Sequence, residues 1–134
     1  MDRLVLQRRR MADDLDQAAG EPFGRLRLRT TLQNCEFVAA DASAVFGTVP
    51  YGGAETAVIV DPPRKGCSDD FLRQLVAFAP RTVVYVSCNP ETQARDLGTL
   101  RTAGYRCVRL LPFDMFPQTR HVEAVATLIR VATS

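Results

Sequence analysis

The sequence predicts an α/β domain with a mostly parallel sheet, because buried strand patterns alternate with amphipathic helix patterns over residues 34–134. Continuous apolar runs at 57–60 and 82–86 are typical of strands buried on both faces. Strand patterns at 105–111 and 124–131 are joined by a loop rich in proline and aromatic residues. No helix separates this last pair, so we expect the two strands to run antiparallel. The hydrophobic residues at this connection are interpreted as packing residues: Phe113, Met115 and Phe116.

The remaining elements follow from local signals in chain order. A short strand is predicted at 37–40. Ser68 is a predicted N-cap, and the two acids after it suit the positive end of a helix dipole. The apolar spacing behind Ser68 predicts a helix to residue 78. A second helix is predicted over 91–103, with Gly104 in the C′ position that favours glycine.

Length and composition exclude several classes of protein. The chain has 134 residues, which suits one domain, and a net charge of +2, which is too weak to indicate nucleic-acid binding by charge alone. No apolar run approaches the roughly 18 residues of a membrane span, and the N-terminus lacks a signal-peptide core. The four cysteines form no C-x-x-C pair, so we expect no metal site and reduced thiols in an intracellular protein. Three of them are interpreted as structural residues: Cys35, Cys67 and Cys107.

Residues 1–33 differ in character from residues 34–134. The first segment has seven arginines against five acids, and its apolar stripe is sparse. That stripe, which would make part of the segment helical, consists of Leu4, Met11, Leu15 and Ala18. We therefore predict an atypical N-terminal segment, helical or poorly ordered, before a partial domain over 34–134.

Polar residues follow three of the predicted strands where those strands end. They are Asp41, the Asp-Pro-Pro-Arg run at 61–64 and the Ser-Cys-Asn-Pro run at 87–90. Ligands of open α/β sheets bind outside the carboxyl ends of the strands. The sequence therefore predicts a functional site at this edge.

Two side chains suit nucleophilic and base chemistry, although each also has a structural interpretation. Cys88 precedes a predicted helix N-terminus, which favours a thiolate, but buried cysteines are more often structural. Glu123 stands at the start of the last predicted strand, two residues after His121. It is either a carboxylate base or an exposed acid at the edge of a strand. The Asp-Pro-Pro-Arg run at 61–64 resembles the Asx-Pro-Pro loop of methyltransferases that act on bases. An aromatic residue usually follows the prolines in those that methylate exocyclic amines, so Arg64 disfavours that reaction.

Three linked motifs resemble the RNA 5-methyluridine methyltransferase family. They are the Asp-Pro-Pro-Arg-Lys-Gly run at 61–66, Val-Tyr-Val-Ser-Cys-Asn-Pro at 84–90, and Asp-Met-Phe-Pro-Gln-Thr at 114–119, which is followed by His-Val-Glu at 121–123. The resemblance covers about 34–131. It implies the C-terminal part of a Rossmann-like class I methyltransferase sheet, which uses S-adenosylmethionine to methylate uridine C5 in RNA.

The resemblance also implies roles for individual residues. Cys88 matches the nucleophile that adds to C6 of a flipped-out uracil, and Glu123 matches the base that removes the C5 proton. Asp61 and Asp41 match cofactor contacts, and Arg64 and Asn89 match substrate contacts. We expect transfer RNA as the substrate, with ribosomal RNA left open.

The sequence departs from the family in one region. The strand and glycine-rich loop that hold the methionine end of S-adenosylmethionine have no counterpart, because the Gly52-Gly53 pair comes too late in the chain. The alternative hypothesis is therefore a non-catalytic remnant that binds RNA or a partner protein. We expect a cytoplasmic location, with nucleus and mitochondrion left open.

Overall fold

The computed structural model describes residues 4–6, 42–47 and 49–131. The strands of these residues form one sheet and are β1 Leu4–Leu6, β2 Ala57–Val60, β3 Thr82–Ser87, β4 Tyr105–Phe113 and β5 Glu123–Arg130. The helices are α1 Asp69–Phe78 and α2 Pro90–Thr102, with short 3-10 helices at Ala42–Gly47 and Gly53–Glu55.

The sheet has the strand order β1-β2-β3-β5-β4. β1, β2 and β3 are parallel, whereas β5 lies between β3 and β4 and runs antiparallel to both. The predicted α/β fold and the antiparallel last pair are confirmed. Because β5 is reversed, its amino end lies beside the carboxyl ends of β2 and β3.

The helix boundaries follow the capping signals in the sequence. The Ser68 hydroxyl accepts a hydrogen bond from the Phe71 amide at 3.2 Å, which confirms the predicted N-cap. Asn89 caps α2, and Pro90 occupies the first turn, where its missing N–H costs nothing. Gly104 has a φ of 89°, the left-handed conformation expected of a residue just past a helix.

Both helices pack on one face of the sheet. The core includes Val58, Val60, Val83, Tyr85, Ala126 and Leu128 from the strands, and Phe71, Leu75 and Leu100 from the helices. The prediction that β2 and β3 are buried on both faces is wrong, because only alternate residues of these strands are fully buried. No helix among the described residues covers the other face, which we call the open face.

A β-bulge in β4 changes which of its residues reach the open face. Cys107 pairs with Leu128 and Arg109 pairs with Thr127, so Val108 is the extra residue. Without the bulge, residues three apart on a strand would face opposite ways. With it, Arg106 and Arg109 lie on the same face.

The N-terminal predictions are only partly within the described residues. Leu4–Leu6 form β1, so the interpretation of Leu4 as part of a helical stripe is wrong; pairing with β2 outweighs the weak helical spacing. The predicted strand at 37–40, together with Asp41 and Cys35, lies outside the described residues. The division at residue 33 stays a prediction. None of the described helices is long and apolar enough to span a membrane.

Candidate active site

The pairing of β3 with β5 brings Cys88 and Glu123 to the same edge of the sheet. Ser87 and Ala124 are the last paired residues of this ladder, so Cys88 and Glu123 are the next positions on the two chains. In an antiparallel pair, the carboxyl end of one strand and the amino end of its partner lie at the same edge of the sheet. Cys88 and Glu123 are both half-buried. A thiol and a carboxylate therefore occur at the same edge of the sheet, at the carboxyl end of β3 and the amino end of β5.

A tight turn after β2 presents the Asp-Pro-Pro-Arg run at the same edge. The Gly66 amide donates to the Pro63 carbonyl at 2.8 Å, and Gly66 has a φ of 80°. This conformation favours glycine, and a Cβ here would also lie 2.6 Å from the Arg95 guanidinium. Glycine is required because α2 approaches the turn so closely.

The first two turns of α2 hold this loop through its backbone carbonyls. Asn89 Nδ2 and the Thr92 hydroxyl both donate to the carbonyl of Arg64, at 3.1 and 3.0 Å. The Arg95 guanidinium donates to the carbonyls of Lys65 and Cys67, at 3.0 and 3.3 Å. The loop after β2 is therefore fixed relative to the helix that starts beside Cys88.

Asp96 is the central polar residue of this junction, and it is 0% exposed. Its carboxylate accepts hydrogen bonds from the Cys67 amide at 2.8 Å, the Tyr85 hydroxyl at 2.5 Å and Arg95 Nε at 2.9 Å. These donors come from the loop, β3 and α2. A buried carboxylate with a full set of donors is held rigidly, so Asp96 ties the three elements together.

The surroundings of Asp96 favour the protonated forms of the Cys67 thiol and the Tyr85 hydroxyl. Burial raises the pKa of the Cys67 thiol to about 11, with the negative charge of Asp96 acting in the same direction. Burial, followed by the hydrogen bond to Asp96, raises the pKa of Tyr85 well above its usual range. Asp96 also raises the pKa of Arg95. Cys67 is therefore a poor nucleophile at neutral pH, in agreement with its predicted structural role. The same interpretation of Cys107 is wrong, because Cys107 is exposed on β4.

Two further contacts fix the strands that carry Cys88 and Glu123. Gln93 on α2 is buried, and its Nε2 donates to the carbonyls of Tyr85 and Ala124, both at 3.1 Å. The Ser87 hydroxyl donates to the Asn89 carbonyl at 2.9 Å and accepts from the Asn89 amide at 3.0 Å. The chain on both sides of Cys88 is thus hydrogen-bonded.

Asp61 borders a mainly apolar pocket at the end of β2. The pocket has a volume of about 100 Å³, and its wall includes Phe46, Pro62, Pro63 and Phe71. Complete small-molecule sites have volumes of roughly 300–1,000 Å³. The pocket formed by the described residues is therefore smaller than a complete small-molecule site.

The predicted site residues fall into two groups. The first group belongs to the loop after β2 and to the adjoining ends of β3, α2 and β5: Arg64, Cys88, Asn89 and Glu123. The second is Asp61, which lines the pocket, and none of the other four borders that pocket. Both ends of the Asn89 side-chain amide are hydrogen-bonded: Nδ2 donates to the Arg64 carbonyl, and Oδ1 accepts from the Glu91 backbone N–H. The Arg64 guanidinium is exposed and has no hydrogen bond or ion pair to any described residue.

The loop between β4 and β5 lies at the same edge, since Phe113 pairs with Glu123. Pro117 and Gln118 occupy the middle of a turn closed by the Thr119 amide and the Phe116 carbonyl at 3.1 Å. Gln118 has a φ of 67°, as required at the third position of a type II turn. Three hydrophobic residues of this connection are exposed: Phe113 by 45%, Met115 by 64% and Phe116 by 54%. Their interpretation as packing residues is therefore wrong.

Asp96, Tyr85 and Gln93 were not predicted as site residues. A helical pattern was available, because Gln93, Asp96 and Leu100 have the spacing of one helix face. The polarity of Gln93 and Asp96 suggests a solvated face. Their burial is explained only by hydrogen bonds to distant segments: Gln93 donates to carbonyls of β3 and β5, and Asp96 accepts from the loop and β3. No group of three or more metal-ligating side chains occurs among the described residues.

The fold and the edge residues define part of an α/β domain of the methyltransferase type. The model of the tRNA (Uracil-5-)-methyltransferase family matches residues 53–131, and the chain belongs to that family. The predicted resemblance is thus confirmed.

Similar proteins agree with this assignment. A tRNA (uracil(54)-C(5))-methyltransferase of Schizosaccharomyces pombe is 40% identical over 109 residues, covering 78% of this chain and 21% of that protein. An uncharacterized RNA methyltransferase of Oceanobacillus iheyensis is 48% identical over 98 residues, covering 72% of this chain and 21% of that protein. The chain spans about a fifth of the length of these curated relatives.

A solved structure gives the same fold. The tRNA (uracil-54, C5)-methyltransferase of Pyrococcus abyssi is 49% identical and superposes with a TM-score of 0.51, covering 55% of this chain and 18% of that chain. That protein was crystallised with S-adenosyl-L-homocysteine.

Proposed function

We propose that this chain supplies the nucleophile and the base for S-adenosylmethionine-dependent methylation of uridine C5 in RNA, with transfer RNA as the substrate. One observation supports the proposal: in a chain of this family, Cys88 and Glu123 are the sequence neighbours of Ser87 and Ala124, the last residues paired between β3 and β5. The substrate class is supported by the Schizosaccharomyces pombe relative, which is a tRNA (uracil(54)-C(5))-methyltransferase.

The two side chains divide the reaction between them. The Cys88 thiolate forms a bond to C6 of uracil, and the electron pair of the C5–C6 double bond makes C5 nucleophilic. When bound, the methyl donor supplies an electrophilic methyl group that C5 accepts. Glu123 then removes the C5 proton, the double bond forms again, and the C6–S bond breaks to return the Cys88 thiolate.

The described residues fit part of a site for the methyl donor. The apolar wall of the pocket, which includes Phe46 and Pro62, suits an adenine ring, and the Asp61 carboxylate can accept hydrogen bonds from ribose hydroxyls. The predicted cofactor contact at Asp41 stays a prediction. The sulfonium end of the donor has no partner among the residues of this pocket.

A second candidate function is RNA binding without catalysis by this chain alone, and the position of the glycine pair favours it. Gly52 and Gly53 lie before β2, at the edge of the sheet opposite Cys88. A Cβ at Gly53 would collide with the Phe78 carbonyl, so this glycine serves close packing against α1. The described residues outside this pair contain no glycine-rich loop that could cradle the donor.

Product analysis tests the proposal. The chain is incubated with S-adenosylmethionine and unmodified tRNA or rRNA, and 5-methyluridine is measured by mass spectrometry of the digested nucleosides. We expect 5-methyluridine in tRNA, its loss in Cys88→Ala and its retention in Cys107→Ala, because Cys107 lies exposed on β4. Retention of RNA without any product would favour the second candidate, and product only in rRNA would correct the substrate.

A further inference from the structure

The main-chain carbonyl of Arg64 is held by two side chains from the start of α2. Arg64 lies in the turn closed by the Gly66 amide and the Pro63 carbonyl, and its own carbonyl takes no part in that hydrogen bond. It accepts instead from Asn89 Nδ2 and from the Thr92 hydroxyl, at 3.1 and 3.0 Å. A carbonyl oxygen has two lone pairs, so these two donors satisfy it fully.

The Thr92 proton is available for this contact because the other acceptor within its reach is already satisfied. The Thr92 hydroxyl also lies 3.1 Å from the Asn89 carbonyl, one turn back on α2. That carbonyl accepts from the Gln93 amide at 3.1 Å and from the Ser87 hydroxyl at 2.9 Å. Because two donors fill its lone pairs, the hydrogen bond of Thr92 goes to the Arg64 carbonyl. Thr92 therefore joins α2 to the loop after β2.

The loop is anchored at a second point that does not involve Thr92. The Arg95 guanidinium donates to the Cys67 carbonyl at 3.3 Å, and the buried Asp96 carboxylate accepts from the Cys67 amide at 2.8 Å. These contacts remain when the Thr92 hydroxyl is removed. Its loss should therefore leave the loop folded and loosen the chain at Arg64.

The Arg64 side chain is free where its main chain is fixed. The guanidinium is exposed, and it forms no hydrogen bond or ion pair with a residue in the described ranges. The contacts to the main chain come from α2, whose N-cap, Asn89, directly follows Cys88. Since an arginine fork binds oxygen acceptors in a defined geometry, a shift of its main chain weakens such a contact. The α2 contacts therefore set where Arg64 can act relative to Cys88.

We propose that Thr92 and Asn89 are positioning residues, which hold the main chain of Arg64 so that its guanidinium binds an oxygen of the substrate at the edge that carries Cys88. The inference rests on the proposed function, which supplies RNA as the substrate. Asn89 then acts through Arg64 and not by touching RNA, since both ends of its side-chain amide are already hydrogen-bonded.

A double-mutant cycle tests the proposal. Binding of a labelled, uridine-containing RNA oligonucleotide is measured by fluorescence anisotropy, and methylation of unmodified tRNA is measured as kcat/KM. Thr92→Val should lower the affinity and kcat/KM about tenfold, whereas Thr92→Ser keeps the hydroxyl and should retain both. In the Arg64→Gln background, Thr92→Val should cause no further loss, because no guanidinium remains to be positioned.

A matched control and a second variant complete the cycle. Thr102→Val removes a hydroxyl that donates to the Thr99 carbonyl at the exposed end of α2, and it should behave as the parent. Asn89→Ser keeps an N-cap oxygen and lacks the amide donor. It takes the place of Thr92→Val if that variant does not fold, with the same expectation in both backgrounds.

Thermal unfolding separates positioning from simple stabilisation. The acceptor is a main-chain carbonyl, which Arg64→Gln retains, so Thr92→Val should lower the unfolding midpoint equally in both backgrounds. Losses of affinity and kcat/KM that multiply in the two backgrounds would show a structural effect only and would overturn the proposal. Parent-like affinity and kcat/KM in Thr92→Val, or no RNA binding by the parent chain, would also overturn it.

The salt dependence of binding identifies the oxygen that Arg64 contacts. Arg64→Gln should lower the slope of log K against log salt by about 0.7 if that oxygen belongs to a phosphate, and should leave the slope unchanged if it belongs to uracil. The proposed function has a separate readout in 5-methyluridine. If that product forms while the losses multiply, the positioning role is wrong and the function stands. If the binding cycle holds and no product forms, the reverse is true.

Discussion

Cys88 and Glu123 lie at one edge of the sheet, because they are the sequence neighbours of Ser87 and Ala124, the last residues paired between β3 and β5. The edge at which both residues lie is therefore set by the backbone pairing of β3 and β5. Gln93, which donates to the carbonyls of Tyr85 and Ala124, holds the same two strands from α2. Such rigid placement suits a nucleophile and a base that act on adjacent carbons.

Glu123→Gln should slow formation of 5-methyluridine by about 10²–10⁴-fold, because a neutral amide cannot accept the C5 proton. The Cys88 adduct should persist, since its release waits for that proton to leave. Denaturing gel electrophoresis with labelled RNA measures the adduct, and single-turnover assays measure the rate. Glu91→Gln, on the exposed first turn of α2, is the matched control. A parent-like rate in Glu123→Gln would remove Glu123 from the mechanism.

Asp96→Asn should lower the free energy of unfolding by about 3 kcal/mol. The carboxylate accepts from three donors, and an amide in its place must turn an N–H toward one of them. Urea unfolding followed by circular dichroism measures the change. Asp70→Asn, at an exposed pair with Arg73, should cost less than about 1 kcal/mol. Equal effects of the two substitutions would refute the central role of Asp96.

Gly66→Ala should destabilise the chain by about 2 kcal/mol or more, because φ at this residue is 80° and the added Cβ would lie 2.7 Å from the Asp96 carboxylate. Gly98→Ala provides the opposite case. Gly98 lies within α2 with open space around it, so alanine there should stabilise by about 0.5–1 kcal/mol. Thermal unfolding of both variants checks the pair, and a neutral Gly66→Ala would contradict the described turn.

The raised pKa of Cys67 predicts a loss of stability at alkaline pH. Its ordinary value of 9.0 rises to about 11 in the folded chain, so the unfolded chain loses the thiol proton first. The contribution is full below about pH 9 and is lost as the pH rises toward about 11. Urea midpoints across this range should fall less steeply in Cys67→Ala than in the parent. The pKa of Tyr85 is also raised, so Tyr85 makes its own contribution to the loss of stability at alkaline pH, in the parent and in Cys67→Ala alike.

Cysteine reactivity gives an independent check on the same group. At neutral pH, a thiol reagent should modify the exposed Cys107 in the folded chain and leave the Cys67 thiol largely unmodified. Mass spectrometry of tryptic peptides distinguishes the two. Modification of Cys67 as fast as Cys107 would show that the junction around Asp96 is open.

The elements with strong local signals were predictable from the sequence. Ser68 and Gly104 marked helix ends, and the apolar runs marked β2 and β3, since capping and turn preferences depend on a few neighbouring residues. The insertion of β5 between β3 and β4 was not predicted, because strand order is set by pairing between distant segments. The bulge at Val108, which turns Arg109 to the open face, likewise depends on the partner strand.

The candidate site was predictable to a similar extent. Cys88, Arg64 and Asp61 were identified because polar residues after buried strands collect at one edge of a parallel sheet. Asp96 was missed, because an aspartate in a charged helical run suggests solvent exposure. Its burial requires donors from Cys67 and Tyr85, which are separated from it in sequence and meet it only in the folded chain.

Exchange of the C5 hydrogen of uridine, measured without any methyl donor, tests the central claim most directly. Addition of the Cys88 thiolate to C6 makes C5 basic, so in D₂O the parent chain should introduce deuterium at C5 of bound RNA, as detected by mass spectrometry. We predict that Cys88→Ala abolishes this exchange and that Cys107→Ala preserves it. Exchange at the parent rate in Cys88→Ala would contradict a covalent role for Cys88.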